Sequence, residues 1–461
     1  MSCSCAVFVF REFGKNSQGR GSIRQEFMTQ VLIIADDLSG AADCASAFVK
    51  AGLQTLVVID RQAGQSADTE AAQVISIDAD TRRLPGAEAA QIHLDIFNRY
   101  RSAGQLLYKK IDSTLRGNFA QELGSIINQA GLAIVAPAFP QAGRFTTNGQ
   151  QYLNDTPLEM TEIWRGEGIT GTAHIPSMLA HHGIKTASIC INEIRQGAQQ
   201  LRTLLETCAR DGVQAVVCDV EADDDLQAIA QASISLSMPR FWVGSAGLAN
   251  HLLAATRVAA KPDQVAPVKT NGSILTVVGS LSNVSRVQAE YLFATGQMER
   301  VDAPASVLRQ GQSHPQWKKL RNTLDMSLQK KRDILIMIGI EDPVNMGEGL
   351  QLCQALALLI APLAEHIGAV ISTGGETARA ILSAMGSTGL RLIGEIEPGV
   401  PLSVAAGIKP IPVITKAGAF GSRETLFRCY ETLRQARVGS TCDTKTGSSD
   451  TRSTALYRKA F

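Results

Sequence analysis

Short apolar runs recur along this chain, each closed by a polar turn that opens a helical stretch, and no other feature restricts the available folds so strongly. The run from Val31 to Ala35 contains no polar side chain, which is what a strand covered on both faces requires. A turn from Asp36 to Gly40 follows. Ala41 to Lys50 then has helical spacing, with Gly52 just past its end, where a left-handed residue commonly stops a helix. Leu56–Ile59, Val74–Ile77, Leu106–Tyr108 and Leu132–Val135 repeat the strand pattern, and Ala87–Ser102 and Phe119–Gln129 the helical one. Residues 141–172 are rich in Gly, Thr, Asn and Gln and read as a long loop, which in a compact domain usually marks function or flexibility. The rhythm resumes with strands at Thr186–Ile191, Ala215–Cys218 and Phe241–Val243, separated by helices at Glu193–Ala209 and Asp224–Ser235.

Val258 to Gly272 breaks the periodicity and reads as an interdomain linker. A second unit follows, with strands at Ile274–Val278, Ile334–Ile338, Ala369–Ile371 and Pro412–Ile414 and helices at Ser285–Thr295, Met346–Ala361 and Thr377–Met385. The alternation predicts two α/β domains with mainly parallel sheets, residues 28–257 and 273–438, joined by 258–272. Residues 1–27 and the Ser/Thr-rich stretch 439–461 read as disordered flanks.

Composition removes several function classes. The chain is 45% apolar and 19% charged, and 44 basic residues nearly balance 43 acidic ones. Neither a nucleic-acid footprint nor a membrane-surface patch is indicated. The most apolar helical stretch, Ala355–Ala364, includes Pro362 and is about half the length needed to cross a bilayer. The apolar run Ala6–Phe10 has no basic residue before it and makes a poor signal peptide; residues 1–27 read instead as an extension from an upstream start, with Met28 directly before the first strand. Nine scattered cysteines suit reduced thiols in a cytoplasmic protein. No pair among the seven histidines has metal-ligand spacing, so no protein-held metal is expected.

In parallel α/β sheets ligands bind outside the carboxyl ends of strands, and those ends hold the chemistry-bearing residues here. Asp36 and Asp37 close the first strand, well placed to accept hydrogen bonds from a polyol or a proton from a hydroxyl; capping the helix is the plainer use of one of them. Arg82, after the third strand, could clamp a carboxylate in bidentate fashion, although a solvated turn explains it as well. Lys109, Lys110, Ile111, Asp112, Ser113, Thr114 and Arg116 form the densest polar segment, a surface suited to an anionic, hydroxylated ligand. Arg144 follows a further strand end. In the second half, Ser280 and Ser282 follow one strand, Thr373, Gly374, Gly375, Glu376 and Thr377 another, and Lys416, Gly418 and Gly421 a third. Small residues with free N–H groups at helix starts make a seat for phosphate. Any one of these loops could be an ordinary turn; three in one domain favour a nucleotide-phosphate site. The P-loop pattern G-x-x-x-x-G-K-[ST] does not occur. The one G-x-G-x-x-G, at Gly166, Gly168 and Gly171, follows no apolar strand and carries little weight as a dinucleotide fingerprint.

These segments, taken in order, resemble the four-carbon acid sugar kinase family: Ala35 to Gly40, Lys109 to Asn118, Ala136 to Pro140 with Gly143 and Arg144, Thr373 to Thr377, and Lys416 to Gly421. The resemblance spans roughly Met28 to Arg434. It implies an N-terminal acid-sugar domain, a C-terminal nucleotide domain, and an active site in the interdomain cleft. It also implies phosphorylation of the terminal hydroxyl of threonate, erythronate or 3-oxo-tetronate by ATP with Mg²⁺. Carried onto this chain, Asp37, Arg82 and Lys110 to Asp112 contact the acid sugar with Arg116 close by, while Ser282, Gly374 to Thr377 and Gly418 contact ATP. Ser39 stands where the family often has Thr, Glu376 where it has Asp, and Ala417 and Ala419 where it has Ser or Gly. The Glu376 change would displace a magnesium contact. Asp37 is expected as the catalytic base, with Asp112 the second choice. The reading is thus a cytoplasmic kinase of carbohydrate-acid catabolism, with no nucleic-acid or membrane partner, and a homodimer is a compatible assembly. A 3-oxo-tetronate kinase is the nearest alternative. An NAD-dependent oxidoreductase and a silent acid-sugar sensor stand for other classes.

Overall fold

The computed structural model describes residues 29–62, 67–255, 270–280, 282–339 and 348–438. The expected flanks, most of the 258–272 linker and the start of the Met346 helix lie outside them. The first half supplies β1 (Val31–Ala35), β2 (Thr55–Val58), β3 (Val74–Asp78), β4 (Leu106–Lys110), β5 (Leu132–Ala136), a small meander of β6 (Arg144–Thr147), β7 (Gln150–Leu153) and β8 (Thr156–Pro157), then β9 (Thr186–Ile189), β10 (Ala215–Cys218) and β11 (Arg240–Gly244). The second half supplies β12 (Ser273–Val278), β13 (Glu299–Ala303), β14 (Ile334–Ile338), β15 (Ile367–Thr373), β16 (Gly389–Glu397), β17 (Val400–Ala406) and β18 (Pro412–Lys416).

Both halves are α/β units with mainly parallel sheets, as the alternating pattern predicts. The first runs β2-β3-β1-β4-β11-β5-β10-β9, parallel throughout. The second runs β13-β14-β12-β15-β18 in parallel and ends in the antiparallel β17–β16 hairpin. The two sheets are joined edge to edge. β16 pairs antiparallel with β2, Leu390 opposite Val57, and makes one 15-stranded sheet. In a flat sheet that joint would leave the two sets of carboxyl ends on opposite edges. A twist of roughly 20–25° per strand, accumulated from β1 to β15, swings one set round toward the other.

The core follows the same division. One face is a continuous apolar layer through both halves, containing Ile33, Ala35 and Phe48 together with Val277, Leu356 and Ile381. The other face is split: Leu32, Ile34, Phe119 and Leu123 pack in the first half, and Ile274, Val278, Ile371 and Ile414 pack separately in the second. The helix Leu38–Lys50 lies on the continuous face. Its buried side is mostly small, with Ala41, Ala42, Cys44, Ala45, Ser46 and Ala47, so it approaches the sheet closely, and Phe48 anchors its end. Burying a side chain of that size is worth roughly 1.5–3 kcal/mol.

Several expectations are corrected. The long loop over 141–172 contains the β6–β8 meander and the short helix Glu162–Gly166. The predicted helix over 193–209 is broken at Gly197 (φ 110°) into Ile191–Ile194 and Ala198–Arg210. β13, β16 and β17 were not anticipated, because charged or half-exposed residues interrupt their apolar runs: β13 reads ERVDA and β16 GLRLIGEIE. The helix Ala246–Ala255 was missed as well.

Candidate active site

Asp36 and Asp37 leave the carboxyl end of β1 in different directions, and Arg82 holds both. Its Nε and Nη2 donate to Asp36 at 2.7 and 3.0 Å, and its Nη1 and Nη2 donate to Asp37 at 2.9 and 2.8 Å. All four carboxylate oxygens are therefore engaged by one guanidinium. Burial pushes the Asp36 carboxyl up, but Arg82, with Lys109 and Lys110 behind it, outweighs burial and holds it below the usual range. Asp37 is also the helix cap, accepting the Gly40 N–H at 2.9 Å. Gly40 carries no side chain where Asp37 Oδ1 and Lys110 Nζ come close; an added β-carbon would meet them at 2.6 and 2.7 Å. The Lys110 ammonium donates to the Ile111 carbonyl at 3.0 Å.

The rest of the dense segment divides. Ile111 turns its side chain into the core. Asp112 accepts from Thr114 and from Arg116 Nε, each at 2.5 Å. Burial opposes its charge, but Arg116, Arg82 and Thr114 hold its carboxyl well below the ordinary value. Arg116 also reaches Glu167 at 3.5 Å. Lys109 points to the opposite face from Lys110. It is fully buried and pairs with Glu122 at 2.8 Å, in a cluster where the Thr81 hydroxyl donates to Glu122 at 2.6 Å. His93 lies 3.5 Å from the same carboxylate, and burial and Lys109 lower it to about 4, so it is neutral. Lys109 supports the floor of the site from behind.

Arg144, on β6, is close enough to Asp112 and Arg116 to feel both charges, and burial pulls its guanidinium below the usual value. One nitrogen donates to the Ala142 carbonyl, while the buried Nε has no partner among the described residues. The meander that carries it is fixed from two sides. The Asp219 carboxylate accepts the Asn148 and Gly149 N–H groups at 2.8 and 2.9 Å, and Gln151 donates to the Ser113 carbonyl at 2.9 Å.

The second-half loops are built from small residues. Gly418 packs against Ser280 and Ser282. The helix Gly375–Ala384 opens behind Gly374, whose φ of 92° and missing side chain leave its first turn without a side-chain cap. Thr377 lies beneath Gly279 and shares a hydrogen bond with Cys353 at 3.2 Å. The Thr373 hydroxyl is buried with no partner among the described residues. Lys416 departs from the expectation of a phosphate contact. Its ammonium is turned into its own loop, donating to the carbonyls of Ala417, Gly418 and Phe420 at 2.8, 3.2 and 2.9 Å, and burial lowers it to about 8. Gly421 lies farther along, beside Thr425 and Glu397.

The two sets of loops meet. A β-carbon on Gly375 would fall 2.8 Å from Ser39 Oγ and 3.3 Å from Asp37 Oδ2. Only a glycine lets the start of the nucleotide-half helix come this close to the acid pair. Ser39 Oγ is itself buried and has no partner among the described residues. Alongside, Arg83 pairs with Glu376, and Arg379 pairs with Asp78 and, at 2.8 Å, with Asp80.

Two family models match the chain, a sugar-binding N-terminal domain over residues 31–252 and a nucleotide-binding C-terminal domain over residues 275–426. A D-threonate kinase of Cupriavidus necator is 43% identical over 89% of this chain and 99% of its own length. The chain belongs to the four-carbon acid sugar kinase family. As a member of the acid sugar kinases it is a phosphotransferase with ATP as co-substrate. A second relative, the D-threonate kinase of Bordetella bronchiseptica, is 32% identical over 88% of this chain and 98% of its own. A solved Haemophilus influenzae structure of the DUF1537 type shares the fold, with a TM-score of 0.68 at 21% identity over 87% of this chain and 100% of that one.

The sequence reading of this acid sugar kinase missed three parts of the site region. Ser39 was noted only as a departure from the family pattern. Arg83 and Arg379 look like surface charges until the halves are docked. The meander had a legible signal: Asn148-Gly149, both at positive φ, is the dipeptide that a two-residue hairpin turn favours.

Proposed function

We propose that this chain transfers the terminal phosphoryl group of ATP to the C4 hydroxyl of D-threonate. The observation that carries the reading is the close approach of Gly375 to Ser39 and Asp37, where even a β-carbon would crowd them: phosphate on the Gly375–Ala384 helix start and a small acid over Asp37 would be immediate neighbours. Phosphoryl transfer depends on positioning and charge neutralisation more than on covalent chemistry. The N–H groups behind Gly374, with Ser280, Ser282, Thr377 and the Gly418 backbone, seat the phosphates. Arg144, whose Nε is unpartnered, and Arg116 receive the carboxylate of the acid. Asp37 orients and deprotonates the terminal hydroxyl, held in place by Arg82 and Asp36, with Lys110 beside it to offset charge. Asp112 is the second candidate base; Arg116, Arg82 and Thr114 lower its affinity for a proton.

Among the described residues no three His, Cys, Asp or Glu side chains cluster into a metal site. A magnesium ion would arrive on the triphosphate and would supply neutralisation of phosphate charge there; the acids bordering the loop, Asp37 and Glu376, are already paired with Arg82 and Arg83. Among the described residues no helix is long and apolar enough to cross a membrane, and we place the reaction in the cytoplasm, where ATP is available. The choice of D-threonate over its isomers is supported by the 43% identical relative.

The test is ADP release with ATP and Mg²⁺ over D- and L-threonate, D- and L-erythronate and the 3-oxo-tetronates. ADP should form only when an acid is present, fastest with D-threonate. A folded, ATP-binding protein silent across the panel would overturn the acceptor class. Faster turnover of another acid would overturn the choice of D-threonate.

A further inference from the structure

The loop from Asp78 to Arg83 touches the nucleotide half at both ends and the acid pair in its middle. At its start, Asp78 is fully buried at the end of β3 and pairs with Arg379 Nη1, which also donates to the Ile59 carbonyl at 3.2 Å. Arg379 Nε reaches Asp80 at 2.8 Å. At its far end Arg83 pairs with Glu376. Arg379 and Glu376 belong to the same helix, the one that opens on Gly374 and Gly375. Between these anchors, Thr81 and Arg82 donate their N–H groups to the Asp36 carbonyl at 3.0 and 3.3 Å, and the Arg82 side chain grips both acids. A shift of the helix on filling its N-terminal phosphate seat must therefore pull on the segment that holds Asp37.

We infer that Arg379 is a positioning residue that couples occupancy of the nucleotide loop to the geometry of the Asp36–Asp37 pair. This rests on the kinase reading above. It adds a route by which ATP readies the acceptor site, made of one arginine and two acids from opposite halves. Arg379 makes its polar contacts with Asp78, Asp80 and the Ile59 carbonyl. Its two ion pairs converge on one loop, at Asp78 and at Asp80.

The experiment measures D-threonate affinity by calorimetry with and without a non-hydrolysable ATP analogue and Mg²⁺, alongside steady-state kinetics, for wild type, Arg379→Met and Arg379→Lys. In wild type the analogue should tighten D-threonate binding about 5-fold or more, within the usual range of coupling between sites. In Arg379→Met the factor should fall to about one and kcat should drop about 10- to 100-fold, as expected for lost orientation. Arg379→Lys should restore part of both. Should Arg379→Met fail to fold, Asp80→Asn removes one ion pair at a position whose φ asparagine tolerates, and its coupling factor should be reduced. Wild-type coupling in the variant that folds overturns the inference, as does wild type lacking coupling altogether. So does a fall in kcat that merely tracks the binding-competent fraction, which is the mark of a structural role. If wild type phosphorylates no acid, the kinase reading fails, and that outcome is separate from the others.

Discussion

The two halves of the cleft build their strand-end loops by opposite means. The loops around β1, β3 and β4 are crowded with charge, and nearly every charge is matched: Arg82 with Asp36 and Asp37, Arg116 with Asp112, Lys109 with Glu122. The loops after β12, β15 and β18 offer hydroxyls, glycines and uncapped N–H groups, and their single lysine, Lys416, faces backbone carbonyls. A four-carbon hydroxy acid presents one carboxylate and several hydroxyls, which call for a few directional charged groups. A triphosphate presents many equivalent oxygens, which a ring of backbone donors serves without a fixed partner for each. The contrast also separates two meanings of a buried lysine. Lys109 neutralises an internal acid, while Lys416 organises a loop.

The most damaging change should be Asp37→Asn. Asparagine still caps a helix, so the fold should hold, while kcat should fall about 10³-fold, as for loss of a general base. Near-normal turnover of the folded variant would remove Asp37 from its assigned role. Lys109→Met should act on stability: it strands the Glu122 charge in the core, at a cost of about 3–5 kcal/mol, read from chemical denaturation. Gly375→Ala attacks the seam between the halves and should lower kcat by about 10- to 100-fold through misplacement, with each substrate still binding in calorimetry. Lys416→Met sharpens the contrast. If the side chain only organises its loop, the KM for ATP should rise about 3- to 10-fold, in line with the net worth of a typical hydrogen bond; a much larger loss with a collapse of kcat would make it a phosphate contact.

A last effect concerns pH. Burial lifts Asp78 to about 7 against the pull of Arg379, so between about pH 4, where an unfolded Asp titrates, and pH 7 the folded chain holds a proton that the unfolded chain releases. The stability from this group is full below the unfolded value and is lost as pH rises through 7. Asp78→Asn should flatten that segment of a Tm-against-pH curve; an unchanged slope would assign it to other groups.

The buried parallel strands were legible because they are covered on both faces and their sequences are apolar throughout, as in Val31–Ala35 and Ile334–Ile338. The strands that weld the halves together were not. β16 carries Arg391, Glu395 and Glu397, its hairpin partner is interrupted by Pro401 and Ser403, and the pairing of Leu390 with Val57 joins residues far apart in sequence. Loop positions were read well as places and less well as contacts. Lys109 and Lys416 lie at strand ends as expected, yet strand alternation and local carbonyls turn them inward. Ser39 and Arg379 gain meaning only from the opposite half, and no local pattern encodes that neighbour.

The most direct test of the account is to locate the transferred phosphate. The protein is incubated with ATP, Mg²⁺ and D-threonate labelled with ¹³C at C4, and the product is read by ¹³C and ³¹P NMR. ADP should appear together with a phosphate ester coupled to C4. Phosphate on another oxygen of the acid, or inorganic phosphate alone, would contradict an acceptor site that presents the terminal hydroxyl to ATP across the Asp37–Gly375 seam.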